Sequence, residues 1–197
     1  VASFAGGGDI TVRDSGSTTF TGAVTAGTVT LTDTTGVVAF QGDTAINTAL
    51  VTANQPYGVS FTGTTNTVAG DTNFLNTGTV TLGNGAGDSI TFAGGLATTG
   101  NGSNPTQVNL AGTIATTDTQ MDLGAVTVNG NGNSLTLDTN TGAGNITVAS
   151  ITGANGAANN DVTLISGTGT TTVTGNIGTT IGTLTLQENA ATSTGAV

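Results

Sequence analysis

The chain has 197 residues, of which 35% are hydrophobic and 6% charged; it contains no His and no Cys, and its net charge is −10 with Arg13 as the one basic side chain. Without His or Cys there is no Ser–His or Cys–His nucleophile and no imidazole or thiolate metal site, and a single cation cannot neutralise nucleic-acid phosphates or grip an anionic bilayer. No apolar run reaches the roughly 18 residues that span a membrane, and 47 Thr, 33 Gly and 19 Asn leave a surface built from hydroxyls, amides and corners, the composition of short strands joined by turns.

Taken in chain order, one triplet recurs. It reads SFAG at Phe4, TTFTG at Phe20, VAFQG at Phe40, VSFTG at Phe61 and ITFAG at Phe92, then continues with aliphatics as VNLAG at Leu110, VTVNG at Val128, ITVAS at Val148 and VTLIS at Leu164. The intervals are 16, 20, 21, 31, 18, 18, 20 and 16 residues. The longest holds TVTLGNG around Leu82 and is read as an inserted loop or an irregular rung. Between these triplets lie further period-two segments at Val29–Leu31, Val80–Leu82, Leu135–Leu137, Val173 and Leu184–Leu186. Each carries the alternation of a half-buried strand. Corners are expected at Asn129–Ser134 and Gly153–Asp161, where Gly and Asn accept positive φ, and Pro56 and Pro105 fall between strands.

Two to three short strands in each 18 to 21 residues define an all-β fold, a parallel β-helix (β-solenoid) of roughly nine or ten coils. It is expected to be right-handed, as parallel crossovers are. Residues 1–197 are read as a single β-solenoid domain, part of a longer repetitive chain or a filament subunit. Both apolar residues of each triplet point inward, and Phe20, Phe40, Phe61, Phe92, Leu110, Val128 and Val148 are predicted to form the core ladder. The Phe-x-Gly motif is thus a rung and its corner, not a ligand site. The ten Asp residues and Glu188 are scattered and are expected to keep the surface soluble.

The stretch TFTGAVTAGTVTL (Thr19 to Leu31) resembles the repeat of bacterial autotransporter passenger regions, an aromatic-x-Gly strand followed by a Gly-Thr-aliphatic-Thr-Leu strand. NTGTVTLGNGAGDSITFAGG (Asn76 to Gly95) and GTLTLQENAATSTG (Gly182 to Gly195) are similar to it, although Ser193 replaces the aromatic in the latter. More loosely, the chain resembles filamentous-haemagglutinin-like bacterial surface β-strand-repeat proteins. The resemblance implies a secreted, right-handed parallel β-helix at the cell surface serving as stalk, adhesin or filament, and it implies no particular receptor.

Few residues offer chemistry. The carboxylate pairs Asp118/Asp122 and Asp9/Asp14 are the candidates for glycosidic cleavage, but the chain has Tyr57, no Trp and only Arg13 to grip a sugar, and no enzyme activity is expected. GNGAGDSI (Gly83 to Ile90) resembles a Gly-rich Ca²⁺-binding nonapeptide, with Asp88 as the candidate ligand; the alternative is a plain Gly-rich corner. Apart from Ca²⁺ there, no cofactor is expected. Gln55, Pro56 and Tyr57 form the candidate binding loop. Thr-x-Thr pairs at Thr28/Thr30, Thr79/Thr81 and Thr183/Thr185, among others, match the outward ranks of an ice-binding solenoid or simply good strand residues. Asn101-Gly102-Ser103 and Asn145-Ile146-Thr147 match the glycosylation acceptor pattern.

The leading expectation is a non-catalytic extracellular structural protein, a unit of a cell-surface filament, sheath or adhesin stalk that self-assembles end to end by strand addition. Its partner is then itself, or a host or matrix surface, with no nucleic acid and no membrane insertion. The alternatives are an adhesin that binds carbohydrate or protein through projecting loops, and an ice-binding solenoid.

Overall fold

The computed structural model describes residues 1–130, 132–154 and 159–187. Glu188, the end of the Gly182–Gly195 repeat and parts of the expected corners at Asn129–Ser134 and Gly153–Asp161 lie outside the described residues.

The described residues are all-β. The chain lays down β1 (Ile10–Val12), β2 (Thr18–Phe20), β3 (Val24–Leu31), β4 (Val37–Phe40), β5 (Thr44–Thr52), β6 (Gly58–Phe61), β7 (Thr65–Val68) and β8 (Thr72–Asn73). It continues with β9 (Thr79–Leu82), β10 (Ser89–Phe92), β11 (Leu96–Ala97), β12 (Gln107–Leu110), β13 (Gly112–Thr116) and β14 (Met121–Val128). It closes with β15 (Leu135–Asp138), β16 (Ile146–Gly153), β17 (Asn160–Ile165), β18 (Thr171–Val173) and β19 (Ile181–Gln187). Every pairing is parallel, in a nine-stranded sheet running from β1 to β19 and a ten-stranded sheet running from β2 to β18. The fold is therefore a parallel β-solenoid, of about eight turns.

The registers sort the strands into three walls. Wall I runs from Val24–Ala26 of β3 through Thr44–Ile46 of β5, then β7, β10, β13, β15, β17 and β19. Wall II takes β1, the second halves of β3 and β5, then β8, β11, Met121–Leu123 of β14, Ile146–Val148 of β16, and β18. Wall III takes β2, β4, β6, β9, β12 and the second halves of β14 and β16.

Each long strand turns a corner within itself, and its burial shows where. In β3, Val24 and Ala26 are buried, then Gly27 and Thr28 both face out before Val29 and Leu31 turn in again. β14 does the same at Gly124 and Ala125. One extra residue breaks the period of two and bends the strand onto the next wall. The bend changes place along the axis: β3 and β5 join walls I and II without a loop, whereas β14 and β16 join walls II and III.

Inside the walls runs one continuous apolar core. Phe20, Phe40 and Phe61 stack at 5.0 Å and 4.6 Å between centroids, and their column continues through Leu82, Leu110 and Val128. Two predicted members of that ladder stand elsewhere. Phe92 lies on wall I, paired with Val68 and Thr116, and Val148 lies on wall II, paired with Leu123 and Val173. Val128 pairs with Gly153 instead. The expected nine or ten coils are too many because several coils are longer than 21 residues: Met121 pairs with Ile146 and Leu82 with Leu110.

Candidate functional site

The acidic residues are not scattered at random over the surface. Most of those in corners accept a backbone N–H, often from the next turn. Asp9 Oδ1 accepts from Thr28 at 2.7 Å, Asp43 Oδ1 from Thr65 at 3.0 Å, and Asp118 Oδ1 from Gly142 at 2.6 Å. A corner backbone leaves the ladder, so its donors need another partner, and an ionised carboxylate is a strong one. Asp14, Asp33, Asp118 and Asn140 also sit at positive φ, a region that Asp and Asn tolerate better than other side chains. The sequence signal was an Asp or Asn just beyond a strand's last apolar residue, as in LTD at Leu31–Asp33.

The carboxylates considered for catalysis are occupied in this way. Asp9 and Asp118 brace corners, Asp14 lies 3.4 Å from the Arg13 guanidinium, and Asp122 accepts from Gln120 Nε2 at 2.7 Å. Asp88 closes its own turn, with Oδ2 accepting from the N–H groups of Asn84 and Gly85 at 2.8 and 3.0 Å. Among the described residues no group of three or more carboxylates converges.

The candidate binding loop turns its aromatic ring inward. Tyr57 is fully buried, and its hydroxyl accepts from the Ala53 N–H at 2.8 Å and donates to the Leu31 carbonyl at 3.0 Å. Burial raises its pKa above the usual tyrosine value, with the Ala53 and Thr52 hydrogen bonds pulling the other way. A tyrosine carries a large apolar body, so the corner gains more by folding the ring inward and satisfying its one polar atom there. Gln55 reaches back one turn to Asp33 Oδ1 at 2.9 Å, and Pro56 alone of the three is exposed.

The outward faces carry hydroxyls in register. On wall I, Thr65, Ser89, Thr113, Thr136, Thr163 and Thr185 form one column over six turns. The column beside it begins as Thr67 and Thr91 but then presents Ala115, Asp138 and Ile165. Of the two glycosylation-type triplets, Asn145 is followed by the buried Ile146, and its Oδ1 accepts from the Thr170 N–H at 2.8 Å. Asn101 is exposed on a corner.

β1 and β2 are the first strands of the described solenoid. Among the described residues β1 pairs only with β3, and β2 only with β4. Val1 covers part of β2, donating to the Thr19 carbonyl at 2.7 Å and accepting from the Thr21 N–H at 2.9 Å. Beside it opens a concavity of about 680 Å³ lined by Phe4, Ile10, Val12 and Phe20, with Arg13 and Asp14 at its rim. Phe20 is the last ring of the aromatic stack. At the other end β19 pairs only with β17 among the described residues, and its Leu186 is 38% exposed.

The fold defines the chain as a parallel β-solenoid. No family model matches the chain, and neither does any curated protein or solved structure.

Proposed function

We propose that this chain is a non-catalytic structural β-solenoid, a unit of an extracellular surface filament, sheath or adhesin stalk that extends end to end by strand addition. The observation that carries the reading is the stack of parallel rungs around one continuous apolar core, linked from turn to turn by backbone ladders along the axis. An exposed parallel edge is a template for another strand, and a coil with the same three walls offers the matching strand directions at β18 and β19. The scarcity of Lys and Arg supports an extracellular setting, since it removes nearly all trypsin-type cleavage points. The loop-borne adhesin and the ice face have less support: Tyr57 is buried, and the hydroxyl rank is one column wide.

Electron microscopy of the undenatured protein tests this. About eight turns at roughly 4.8 Å make a solenoid of about 38 Å, so filaments with an axial repeat near that length are expected. Discrete short rods at all concentrations would overturn the assembly reading.

A further inference from the structure

We propose that wall II carries a binding notch for a neutral saccharide, centred on β11. The notch has a volume of about 310 Å³, at the lower end of small-molecule sites, which run from about 300 to 1,000 Å³. It arises from two outward ranks. Asp71, Gly95 and Gln120 stand in one, and Asn73, Ala97 and Asp122 in the other. In both, the middle turn supplies a residue with little or no side chain, flanked on each side by an amide or a carboxylate. The flanking rungs are two strand spacings apart, about 9.5 Å. The corner that follows β11 closes one side, where Asn101 Nδ2 donates to Asn73 Oδ1 at 2.8 Å. Under this rim Ala97 is only 9% exposed although its strand alternation points it outward.

The lining selects the ligand by chemistry. Asp71 Oδ1 leans over Gly95, where a Cβ would meet it at 3.1 Å. Asp71 and Asp122 each give their Oδ2 to a neighbouring amide, Asn73 Nδ2 at 3.3 Å and Gln120 Nε2 at 2.7 Å. Those bonds fix the side chains and leave a second oxygen of each carboxylate to accept from a ligand. The notch is thus rich in acceptors that suit hydroxyl donors. A net charge of −10 disfavours anions, and a lining with no aromatic and only Leu96 and Ala97 as apolar side chains disfavours apolar molecules. The two carboxylates lie diagonally two rungs apart rather than converging, which disfavours a metal ion. A polyhydroxylated, uncharged sugar unit suits these acceptors. With no aromatic platform, binding at one notch is weak, about millimolar. The proposal is independent of end-to-end assembly.

Saturation-transfer NMR on the full chain tests it, with neutral cello-, malto-, manno-, xylo- and chito-oligosaccharides as probes and a sialylated sugar as the charged control. At least one neutral series is expected to give a signal and the sialylated sugar none. Ala97→Leu fills the floor and is expected to lower the signal at least fivefold. Asn101→Ala removes a rim amide on an exposed corner and is expected to lower it about threefold with thermal unfolding unchanged, so the test stands even if Ala97→Leu misfolds. Silence from every neutral sugar, or a signal that survives Asn101→Ala undiminished, would overturn the notch. So would Ca²⁺ titration shifting these residues when no sugar does.

Discussion

The rings of Phe40 and Phe61 stack face to face, 4.6 Å between centroids and 7° between planes. Phe40 is also covered on its other face by Phe20, so it is the middle ring of three, whereas Phe20 borders the open concavity. Phe40→Ala is expected to cost about 3–5 kcal/mol, the range for a fully buried aromatic. Phe20→Ala should cost less, because its ring is stacked on an aromatic neighbour on one face only. Denaturant unfolding of the two variants compares them directly, and equal losses would contradict this order.

Tyr57 makes two predictions that a projecting loop would not. Tyr57→Phe leaves the Ala53 N–H and Leu31 carbonyl without their partner in a buried corner, and an unsatisfied buried group costs about 1–3 kcal/mol. The second concerns pH. Desolvation raises the folded pKa above the unfolded value of 10.0. The folded state therefore keeps its proton where the unfolded chain loses it, and stability is fully present below pH 10 and falls as pH rises past it. Tyr57 is the one tyrosine, so ultraviolet titration reads it without interference. Tyr57→Phe should flatten the alkaline slope.

Asp118 combines a positive φ of 56° with a hydrogen bond from Gly142. Asp118→Ala loses the acceptor and keeps a strained Cβ, for a loss of about 2 kcal/mol. Asp118→Asn retains an oxygen and tolerates the backbone, and should cost under about 1 kcal/mol. A surface charge that served only solubility would show no such order in thermal unfolding.

Gly42 lies at the wall III to wall I corner, where an added Cβ would fall 2.8 Å from the backbone nitrogen of Ala23 and overlap Gly22. The obstacle is backbone of the preceding turn, which cannot move aside. Gly42→Ala is expected to abolish cooperative unfolding by circular dichroism, while Gly87→Ala, with open space at its Cβ, should leave it intact.

The part of this fold most legible in the sequence is the run from Phe20 to Phe61. There the triplets come 20 and 21 residues apart, each with its corner glycine, and the spacing equals one turn. Phe92 was misplaced because an inward apolar-x-apolar pair looks the same on every wall; register, not residue type, assigns the wall. Val148 went astray for a related reason. β14 holds two inward pairs, and β16 one pair followed by the inward Ile151, so the motif recurs within a turn as well as between turns. The notch was out of reach, since Asp71, Gly95, Ala97 and Gln120 meet only once three turns are stacked. Tyr57, placed in the candidate binding loop, instead buries its ring and bonds its hydroxyl inside the corner.

Along the axis, the three walls transmit load through their backbone ladders, and they do so unevenly. Between β5 and β8 wall II has no backbone ladder; there the Thr52 hydroxyl stands in, donating to the Asn73 carbonyl and accepting from the Leu75 N–H, both at 2.8 Å. That level also separates the two styles of cornering. A rod pulled from its ends yields at its thinnest cross-section, so this level is its mechanical fuse: under tension, local opening is expected to begin between β5 and β8.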